Sequence, residues 1–287
     1  MDGRPSPTQR KRCGRRLSGE GESPSSGGPE RDTVSGMNGR SSRSFDRIAD
    51  RYDDRRGGAE RGVVLAADIE PWLSPGTVLE VGVGTGVVSV ALRALGLTVF
   101  GVDLSGGMLR HARQRLGPTV AQADATALPF AGASVDNVVF VTALHAIGDV
   151  YGAIEEAARV VRPGGRVVAV HGIPRRIPDD DDMNAAVAPL APLRDDRPDI
   201  APTLDAAAAA ADLRPAGVAW VASTRFEESP NEFATTIEER QWSYLWNVDD
   251  STWRSVVVPV VERLRALQDP DRPRAYRLSP RLVAYQA

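Results

Sequence analysis

Short apolar runs alternate with amphipathic stretches between residues 77 and 170 of this chain. The apolar runs predict five strands, over residues 77–81, 98–102, 120–123, 135–141 and 166–170. The stretches between the strands have helical spacing, with helices predicted over 87–95 and 150–161 and a third one N-capped by Ser105. This alternation is typical of an α/β sheet whose strands run parallel and are covered on both faces.

The flanking regions have less regular patterns. Residues 45–53 and 60–73 predict two amphipathic helices before the first strand. Beyond residue 171 the polar segment 174–182 predicts a solvated loop, and 183–213 predicts helices interrupted by prolines. We expect a sixth strand, two helices and a last strand over 218–226, 231–246, 253–267 and 275–287.

Residues 1–43 are rich in Arg, Gly, Ser and Pro and predict a disordered tail, because they offer few apolar side chains to bury. Their basic cluster, residues 10–16, admits a nuclear-localisation or nucleic-acid hypothesis, but a solvated tail is the simpler interpretation. The predicted domain is 44–287, with lid helices in 44–76, a cofactor-binding core in 77–171 and a substrate side in 172–287.

A glycine-rich loop follows the first predicted strand. Glycines stand at 82, 84 and 86, two residues after Glu80, and Asp103 ends the second strand. A dinucleotide fingerprint would need its third glycine at Val87, so the loop does not fit that ligand. Asp124 and Thr142 also follow strands, and ligands of such sheets bind at the carboxyl ends of the strands. The sequence therefore predicts a nucleoside-binding cleft at this edge.

Four segments then carry a family resemblance. They are Leu79-Glu-Val-Gly-Val-Gly-Thr-Gly86, Gly101-Val-Asp-Leu-Ser105, Asp124-Ala-Thr-Ala-Leu-Pro-Phe130 and Ala158-Arg-Val-Val-Arg-Pro-Gly-Gly165. In order and spacing they resemble the class I S-adenosylmethionine-dependent methyltransferases, in the ubiquinone/menaquinone-biosynthesis-like branch that acts on small molecules. The resemblance implies a doubly wound, mostly parallel seven-stranded sheet with helices on both faces and an antiparallel last strand.

The resemblance also implies a role for each site residue, with S-adenosylmethionine as cofactor and S-adenosylhomocysteine as product. Asp103 would bind the ribose hydroxyls and Asp124 with Ala125 the adenine edge, between apolar walls from Leu104 and Met108. Gly82, Gly84 and Gly86 would let the backbone bend and approach the ligand, and Tyr52 would cover the cofactor. Glu80 would act near the methionine amino group, through water or by holding the loop, and Thr142 would lie beneath the methionine moiety. Simpler interpretations remain open, since Asp103 also suits a helix N-terminus, Met108 a core and Tyr52 plain helix packing.

Candidates for a general base are few, because the chain has three histidines. His145 follows the fourth predicted strand and His171 the fifth, both on the cleft side, whereas His111 is expected at the surface. A histidine at a strand end is often structural, so both catalytic assignments are hypotheses. A base is needed only where the nucleophile carries a proton.

Composition narrows the function classes. The net charge of −3 and pI near 5.7 give no general attraction to nucleic acid or to an anionic membrane. Cys13 is the only cysteine, which excludes an intrachain disulfide, and we predict no metal despite four aspartates at 179–182. No apolar run reaches the length of a membrane span and no signal peptide is evident, so we expect a cytoplasmic protein.

The function expected is methyl transfer to an O, N or C nucleophile of a small molecule. An RNA or protein methyltransferase and a non-catalytic S-adenosylmethionine-binding protein are the alternatives. The aromatic segment 241–246 is interpreted either as a helix packed over the sheet or as a wall of a pocket for a flat or lipophilic acceptor. The acceptor and the oligomeric state are not determined by the sequence.

Overall fold

The computed structural model of the protein describes residues 33–35, 41–177, 181–195, 198–222 and 224–287. Its strands are β1 (Thr33–Ser35), β2 (Ser41–Arg43), β3 (Thr77–Val81), β4 (Thr98–Asp103), β5 (Val120–Gln122), β6 (Val135–Val141), β7 (Val161–Ile177), β8 (Arg214–Trp220), β9 (Thr224–Glu228) and β10 (Arg274–Gln286). β1 and β2 pair antiparallel within the segment predicted to be disordered, and residues 1–32 and 36–40 lie outside the described residues.

The main sheet has the order β5-β4-β3-β6-β7-β10-β8, and β9 also pairs with β10. Strands β5, β4, β3, β6 and β7 run parallel. β10 is inserted antiparallel between β7 and β8. The prediction of a mostly parallel sheet with an antiparallel last strand is therefore confirmed, with β9 as an additional short strand.

The helices agree with the predicted periodicity from residue 58 to residue 160, whereas the helix predicted over 45–53 is a 3₁₀ helix, Asp46–Arg51, that leads into an α-helix beginning at Tyr52. They are α1 (Tyr52–Arg56), α2 (Gly58–Ile69), α3 (Val87–Ala94), α4 (Gly106–Leu116), α5 (Val150–Val160), α6 (Asp182–Val187), α7 (Ala191–Asp195), α8 (Ala201–Ala210), α9 (Pro230–Glu238), α10 (Asp250–Thr252) and α11 (Val258–Arg265). Ser105 caps α4 as predicted, since its hydroxyl accepts from the Met108 N–H at 3.0 Å. In the described residues, no helix combines the length and apolar character needed to cross a bilayer.

Both faces of the sheet are covered. On one face α5 and α8 bury Ile154 and Leu204 against Phe140 of β6. On the other, α2 and α3 bury Leu65 and Leu92 against the alternate side chains of the same strands. β6 therefore contributes to both cores, as its uninterrupted apolar run predicts.

A further apolar cluster forms among helices of the C-terminal half. α6, α9 and α11 bury Met183, Ile237 and Val260 together, along with Leu245 from a 3₁₀ turn over Ser243–Leu245. This cluster, which we call the C-terminal helical cluster, carries the aromatic segment 241–246.

Three predicted boundaries in the C-terminal half are wrong. β7 continues to Ile177 instead of ending at 170, because β10 continues to pair with it as far as Arg277 opposite Ile177. The predicted strand 218–226 is two strands, β8 and β9, which pair with different parts of β10.

The predicted helix 231–246 ends at Glu238. Arg240 there has a φ of 50°, outside the helical region. The Trp246 indole donates to the Arg240 carbonyl at 2.7 Å, and the Arg240 guanidinium donates to the Leu245 carbonyl at 3.0 Å. These local hydrogen bonds replace the helical ones, so the segment turns back on itself.

Candidate functional site

The carboxyl ends of β3, β4 and β6 open onto a cavity of about 680 Å³, including the part open to solvent. Its walls are Phe45, Tyr52, Val81, Gly82, Gly84, Val102, Asp103, Leu104, Met108, Ala123, Asp124, Ala125, Val141, Thr142, Ala143, Ala146 and Ile147. Nine of the eleven residues assigned to the cofactor from sequence are in this set, the exceptions being Glu80 and Gly86.

The glycine loop bends sharply at the end of β3. Gly82 has a φ of +77°, and a Cβ there would overlap the Cβ of Ala143 from the loop after β6. Its N–H donates to the Val102 carbonyl at 2.8 Å, which fastens the loop to β4. Gly86 lies behind the cavity, where a side chain would meet Leu116 of α4. Gly82 therefore brings two loops together, whereas Gly86 allows α3 to pack on α4.

Asp103 presents a half-buried carboxylate to the cavity. One oxygen accepts from the Gly84 N–H and the other from the Ser105 N–H, both at 2.8 Å. Burial raises the pKa of Asp103 above its ordinary value, although these two hydrogen bonds oppose the shift. Each oxygen keeps a further lone pair, so the group can accept from two vicinal hydroxyls.

Asp124 lines the same cavity from the end of β5. Its Oδ1 accepts from the Thr126 N–H at 2.9 Å and the Thr126 hydroxyl at 2.8 Å, which fixes the turn after the strand. Ala125 follows it along the wall, and Leu104 and Met108 add apolar surface from β4 and α4. Two carboxylates and an apolar wall therefore border one space.

Glu80 is buried in the strand and does not line the cavity. Its Oε2 accepts from the Ser89 hydroxyl on α3 at 2.5 Å. Burial raises the pKa of Glu80 to about 7, and the Ser89 hydrogen bond and the charge of Arg61 only partly oppose that rise. In this place Glu80 holds the glycine loop against α3.

Arg61 was not identified from the sequence. From α2 its guanidinium donates to the Thr142 hydroxyl at 2.9 Å, and Thr142 lines the cavity. Thr142 has a φ of 51°, which is uncommon for a side chain branched at Cβ. The separation of 81 residues along the chain leaves no local signal for this contact.

The segment before α2 covers the cavity with Phe45 and Tyr52, whose rings meet edge to face with centroids 6.2 Å apart. Asp46 accepts from the Ser105 hydroxyl at 2.7 Å and from the Gly107 N–H at 2.5 Å. Asp53 accepts from the Thr85 hydroxyl at 2.6 Å. Residues 44–56, which we call the lid segment, are thereby attached to α4 and to the glycine loop.

Neither predicted catalytic histidine lines the cavity. His145 lies in the 3₁₀ turn Leu144–Ala146 and meets the Phe45 ring edge to face, with centroids 6.1 Å apart. His171 is buried in β7, and its Nδ1 lies 2.8 Å from the carbonyl oxygen of Asp199. Burial lowers the pKa of His171, against the effect of Asp199. His145 therefore adjoins the cavity, whereas His171 contacts the segment before α8.

The aromatic segment 241–246 contributes to both the helical cluster and the lid. Trp242 packs on Phe233 of α9, with centroids 6.1 Å apart. Trp246 reaches Phe45 of the lid segment, with centroids 5.0 Å apart. Of the four aspartates at 179–182, Asp181 pairs with Arg176 and Asp182 with Arg274, both at 2.8 Å.

The sequence around this cavity is similar to known methyltransferases. Residues 79–169 match the family described as "Methyltransferase domain". A demethylmenaquinone methyltransferase of Mycobacterium sp. (strain KMS) is 41% identical over 135 residues, 43% of this chain and 56% of the relative. The ubiquinone/menaquinone biosynthesis C-methyltransferase UbiE of Syntrophotalea carbinolica is 36% identical over 138 residues, 44% of this chain and 58% of the relative.

The chain thus covers little more than half the length of these two relatives. Among solved structures, a SAM-dependent methyltransferase from Thermotoga maritima described as a possible histamine N-methyltransferase has a TM-score of 0.48 and 22% identity. It covers 62% of this chain and 83% of its own. The family match includes the glycine loop, Asp103, Asp124 and His145, and it ends before His171 and the C-terminal helical cluster.

Proposed function

We propose that this protein, whose residues 79–169 match the methyltransferase-domain family, is a class I S-adenosylmethionine-dependent methyltransferase that methylates an oxygen, nitrogen or carbon atom of a small molecule. One observation supports this above the others. The glycine loop, Asp103 and Asp124 come from three different strands and border the same cavity. That arrangement offers a bent backbone and two carboxylates to one nucleoside-sized ligand.

The residues that line the cavity suit an adenosyl ligand, and we propose the following contacts. Asp103 has the acceptor geometry for the two ribose hydroxyls, since both of its oxygens are held by backbone N–H groups. Asp124 and Ala125 would read the adenine edge, and Leu104 and Met108 would cover its faces. Thr142 would lie beside the methionine moiety with the glycine loop.

S-adenosylmethionine would supply a methyl carbon on a sulfonium: an electron pair of the acceptor forms the new bond while the pair of the broken carbon–sulfur bond returns to sulfur. The protein's contribution is positioning and exclusion of water, which can account for several kcal/mol of the barrier. Phe45 and Tyr52 are placed to exclude water as part of the lid segment. A proton lost by the acceptor would pass to solvent or to His145, which adjoins the cavity through its contact with Phe45.

The acceptor is proposed to be aromatic or lipophilic. Two named relatives act in menaquinone or ubiquinone biosynthesis, and Phe45, Tyr52 and Trp246 supply aromatic surface beside this cavity. The relatives' matches cover less than half of this chain, so their own acceptors do not transfer to it. A cytoplasmic location and a purely small-molecule partner belong to the same proposal.

Calorimetry with S-adenosylhomocysteine tests the cofactor site. Asp103→Asn removes the charged acceptor, and affinity should fall by about tenfold or more. Asp50→Asn is the matched control, because Asp50 is exposed and pairs at the surface with Arg110 and His111. Equal affinity of the Asp103 variant and the wild type would contradict the ribose assignment.

Incubation with labelled S-adenosylmethionine and a metabolite extract tests catalysis. We expect label in small molecules with the wild type and a strong loss with Asp103→Asn. Binding without transfer to any small molecule, RNA or protein would favour the non-catalytic alternative. Label found only in RNA or protein would favour the macromolecular alternative.

A further inference from the structure

Three arginines form no ion pair with a carboxylate among the described residues, although the charge of Arg61 acts on the nearby carboxyl of Glu80. Arg56 is on α1, Arg61 on α2 and Arg194 on α7. Among the described residues, the ion pairs between arginine and carboxylate involve other arginines, and these three take part in none. All three side chains are partly buried, so water solvates their charges only in part.

Two of the arginines contact residues that line the cavity. The Arg56 guanidinium carbon lies 5.8 Å from the centroid of the Tyr52 ring. Arg61 donates to the Thr142 hydroxyl at 2.9 Å. Because Tyr52 and Thr142 are both part of the cavity wall, the positive charge lies directly behind that wall.

Arg56 also connects the cavity to the C-terminal helical cluster. Its guanidinium carbon lies 4.2 Å from the Trp242 ring centroid, and the Trp242 and Tyr244 centroids are 6.2 Å apart. α7, which carries Arg194, packs on the 3₁₀ turn that contains Tyr244. Burial raises the pKa of Tyr244 to about 12, and the charges of Arg194 and Arg56 oppose that rise. The charges of Arg56 and Arg194 thus act on the same phenol.

Placing these positive charges together is unfavourable. Burial lowers the pKa of Arg56, and the nearby charge of Arg61 lowers it further, against the effect of the Tyr52 phenol. A buried charge without a counter-charge is costly. The chain avoids this cost at Arg176, which also stacks on a phenol but donates to the Asp181 carboxylate at 2.9 Å.

Two nitrogen donors beside these arginines have no acceptor in the described residues. They are Nε of Arg194 and Nε1 of Trp242, both buried. Buried donors in native proteins are nearly always hydrogen-bonded. Arg240 differs from Arg194 in this respect. Its guanidinium also lies over a tryptophan ring, that of Trp253 at 4.0 Å, but it donates to the Leu245 carbonyl. Arginines without an ion pair and donors without an acceptor therefore occur together among Arg56, Arg194, Trp242 and Tyr244, which we call the arginine cluster.

We infer that the methyl acceptor carries an oxyanion, a carboxylate or a phosphate, which Arg56 and Arg194 bind while Trp242 and Tyr244 contact its apolar body. This inference rests on the proposed function and specifies its acceptor. Guanidinium groups bind such oxyanions through two parallel hydrogen bonds. The same anion would supply the missing counter-charge and the missing acceptors.

The test uses the full chain with and without S-adenosylhomocysteine and three probes: benzoate, phenyl phosphate and benzamide, a neutral analogue of benzoate. Binding is followed by the NMR signal of the Trp242 indole N–H, identified among the five tryptophans by its absence in Trp242→Phe. We expect at least one anionic probe to bind about tenfold more tightly than benzamide. Whichever of benzoate and phenyl phosphate binds more tightly indicates whether the acceptor carries a carboxylate or a phosphate. Equal binding of all three probes, or no shift of the Trp242 signal by either anion, would overturn the inference.

Arg56→Gln and Arg194→Gln should each weaken the anionic probe about fivefold or more and leave benzamide unchanged. Arg47→Gln is the matched control, since its exposed guanidinium also stacks on a tryptophan, at 5.4 Å from the Trp246 centroid. If the arginine variants bind the anion as the wild type does, the arginines serve packing only. The comparison of probes on the wild type needs no variant and therefore stands even where a variant fails to fold.

The two proposals fail separately in this design. Absence of S-adenosylhomocysteine binding contradicts the proposed function, while the probes titrated without it still report on the arginine cluster. Normal S-adenosylhomocysteine binding with no preference for the anions contradicts the acceptor class alone.

Discussion

Asp103 and Glu80 show how two similar carboxylates near the same loop acquire different roles. Asp103 ends its strand and faces the cavity, with one lone pair of each oxygen used by the backbone. Glu80 lies two residues before the loop, enclosed by α3 and bonded to Ser89. Both groups are carboxylates, so exposure to the cavity decides which of them can bind a ligand.

Glu80 should make the stability of the protein depend on pH. Its pKa is raised from 4.5 to about 7 in the folded state, so the folded protein holds this proton more tightly than the unfolded chain does. Stability from this group is full below pH about 4.5 and falls as the pH rises to about 7, by about 3 kcal/mol. Glu80→Gln, which keeps an acceptor for Ser89, should lose less stability between pH 5 and 8 in denaturant titrations. A parallel decline in both proteins would contradict this origin.

Replacement of Gly82 by alanine should destabilise the protein more than the same replacement at Gly96, which has a similar backbone conformation. Gly82 and Gly96 both have positive φ, at +77° and +93°, so alanine strains either position. A Cβ at Gly96 meets nothing within 4 Å, whereas at Gly82 it overlaps Ala143. Gly96→Ala should cost about 1 kcal/mol, and Gly82→Ala clearly more, with loss of S-adenosylhomocysteine binding. Equal costs in denaturant unfolding would show that the approach of the two loops is not needed.

At the scale of elements, the lid segment depends on two aspartates that the sequence pattern places seven residues apart. Asp46 contacts the start of α4 and Asp53 contacts the glycine loop through Thr85. Although burial opposes ionisation, hydrogen bonds from Ser44, Ser105 and Gly107 lower the pKa of Asp46, which keeps it charged. The lid is thus attached to the same elements that border the cavity.

Asp46→Ala should release the lid segment. The lost hydrogen bonds to Ser105 and Gly107 should weaken S-adenosylhomocysteine binding by about tenfold, because the cavity loses its cover. Trypsin should also cleave faster within residues 44–56. Asp50→Ala is the control on the same segment, since its surface ion pairs with Arg110 and His111 are of the kind that contribute little. Similar effects of both substitutions would indicate that Asp46 acts only through surface charge.

At the scale of the whole molecule, β10 joins the two halves of the sheet. It pairs with β7, β8 and β9, and Tyr285 within it is buried and donates to Asp205 of α8 at 2.7 Å. The parallel strands that border the cavity therefore continue, through β7 and β10, into the strands of the C-terminal half.

Deletions at the two ends should have opposite consequences. A protein without residues 1–43 should keep its circular dichroism and bind S-adenosylhomocysteine within about twofold of the full chain, since the predicted domain begins at 44. A protein without residues 271–287 should not fold, because three strands lose their partner. Loss of binding on the first deletion would move the domain boundary toward the N-terminus.

The sequence by itself determined the alternation of strands and helices through residue 160, the glycine loop and the strand-end residues Asp103, Asp124 and Thr142. These features depend on local periodicity, on backbone freedom at glycine and on the rule that parallel strands present their carboxyl ends together. Only the tertiary structure decided where β7 ends, which carboxylate reaches the cavity and which arginines remain unpaired. Each of those depends on a contact between distant segments, such as Arg61 with Thr142 across 81 residues, and periodicity carries no record of such contacts.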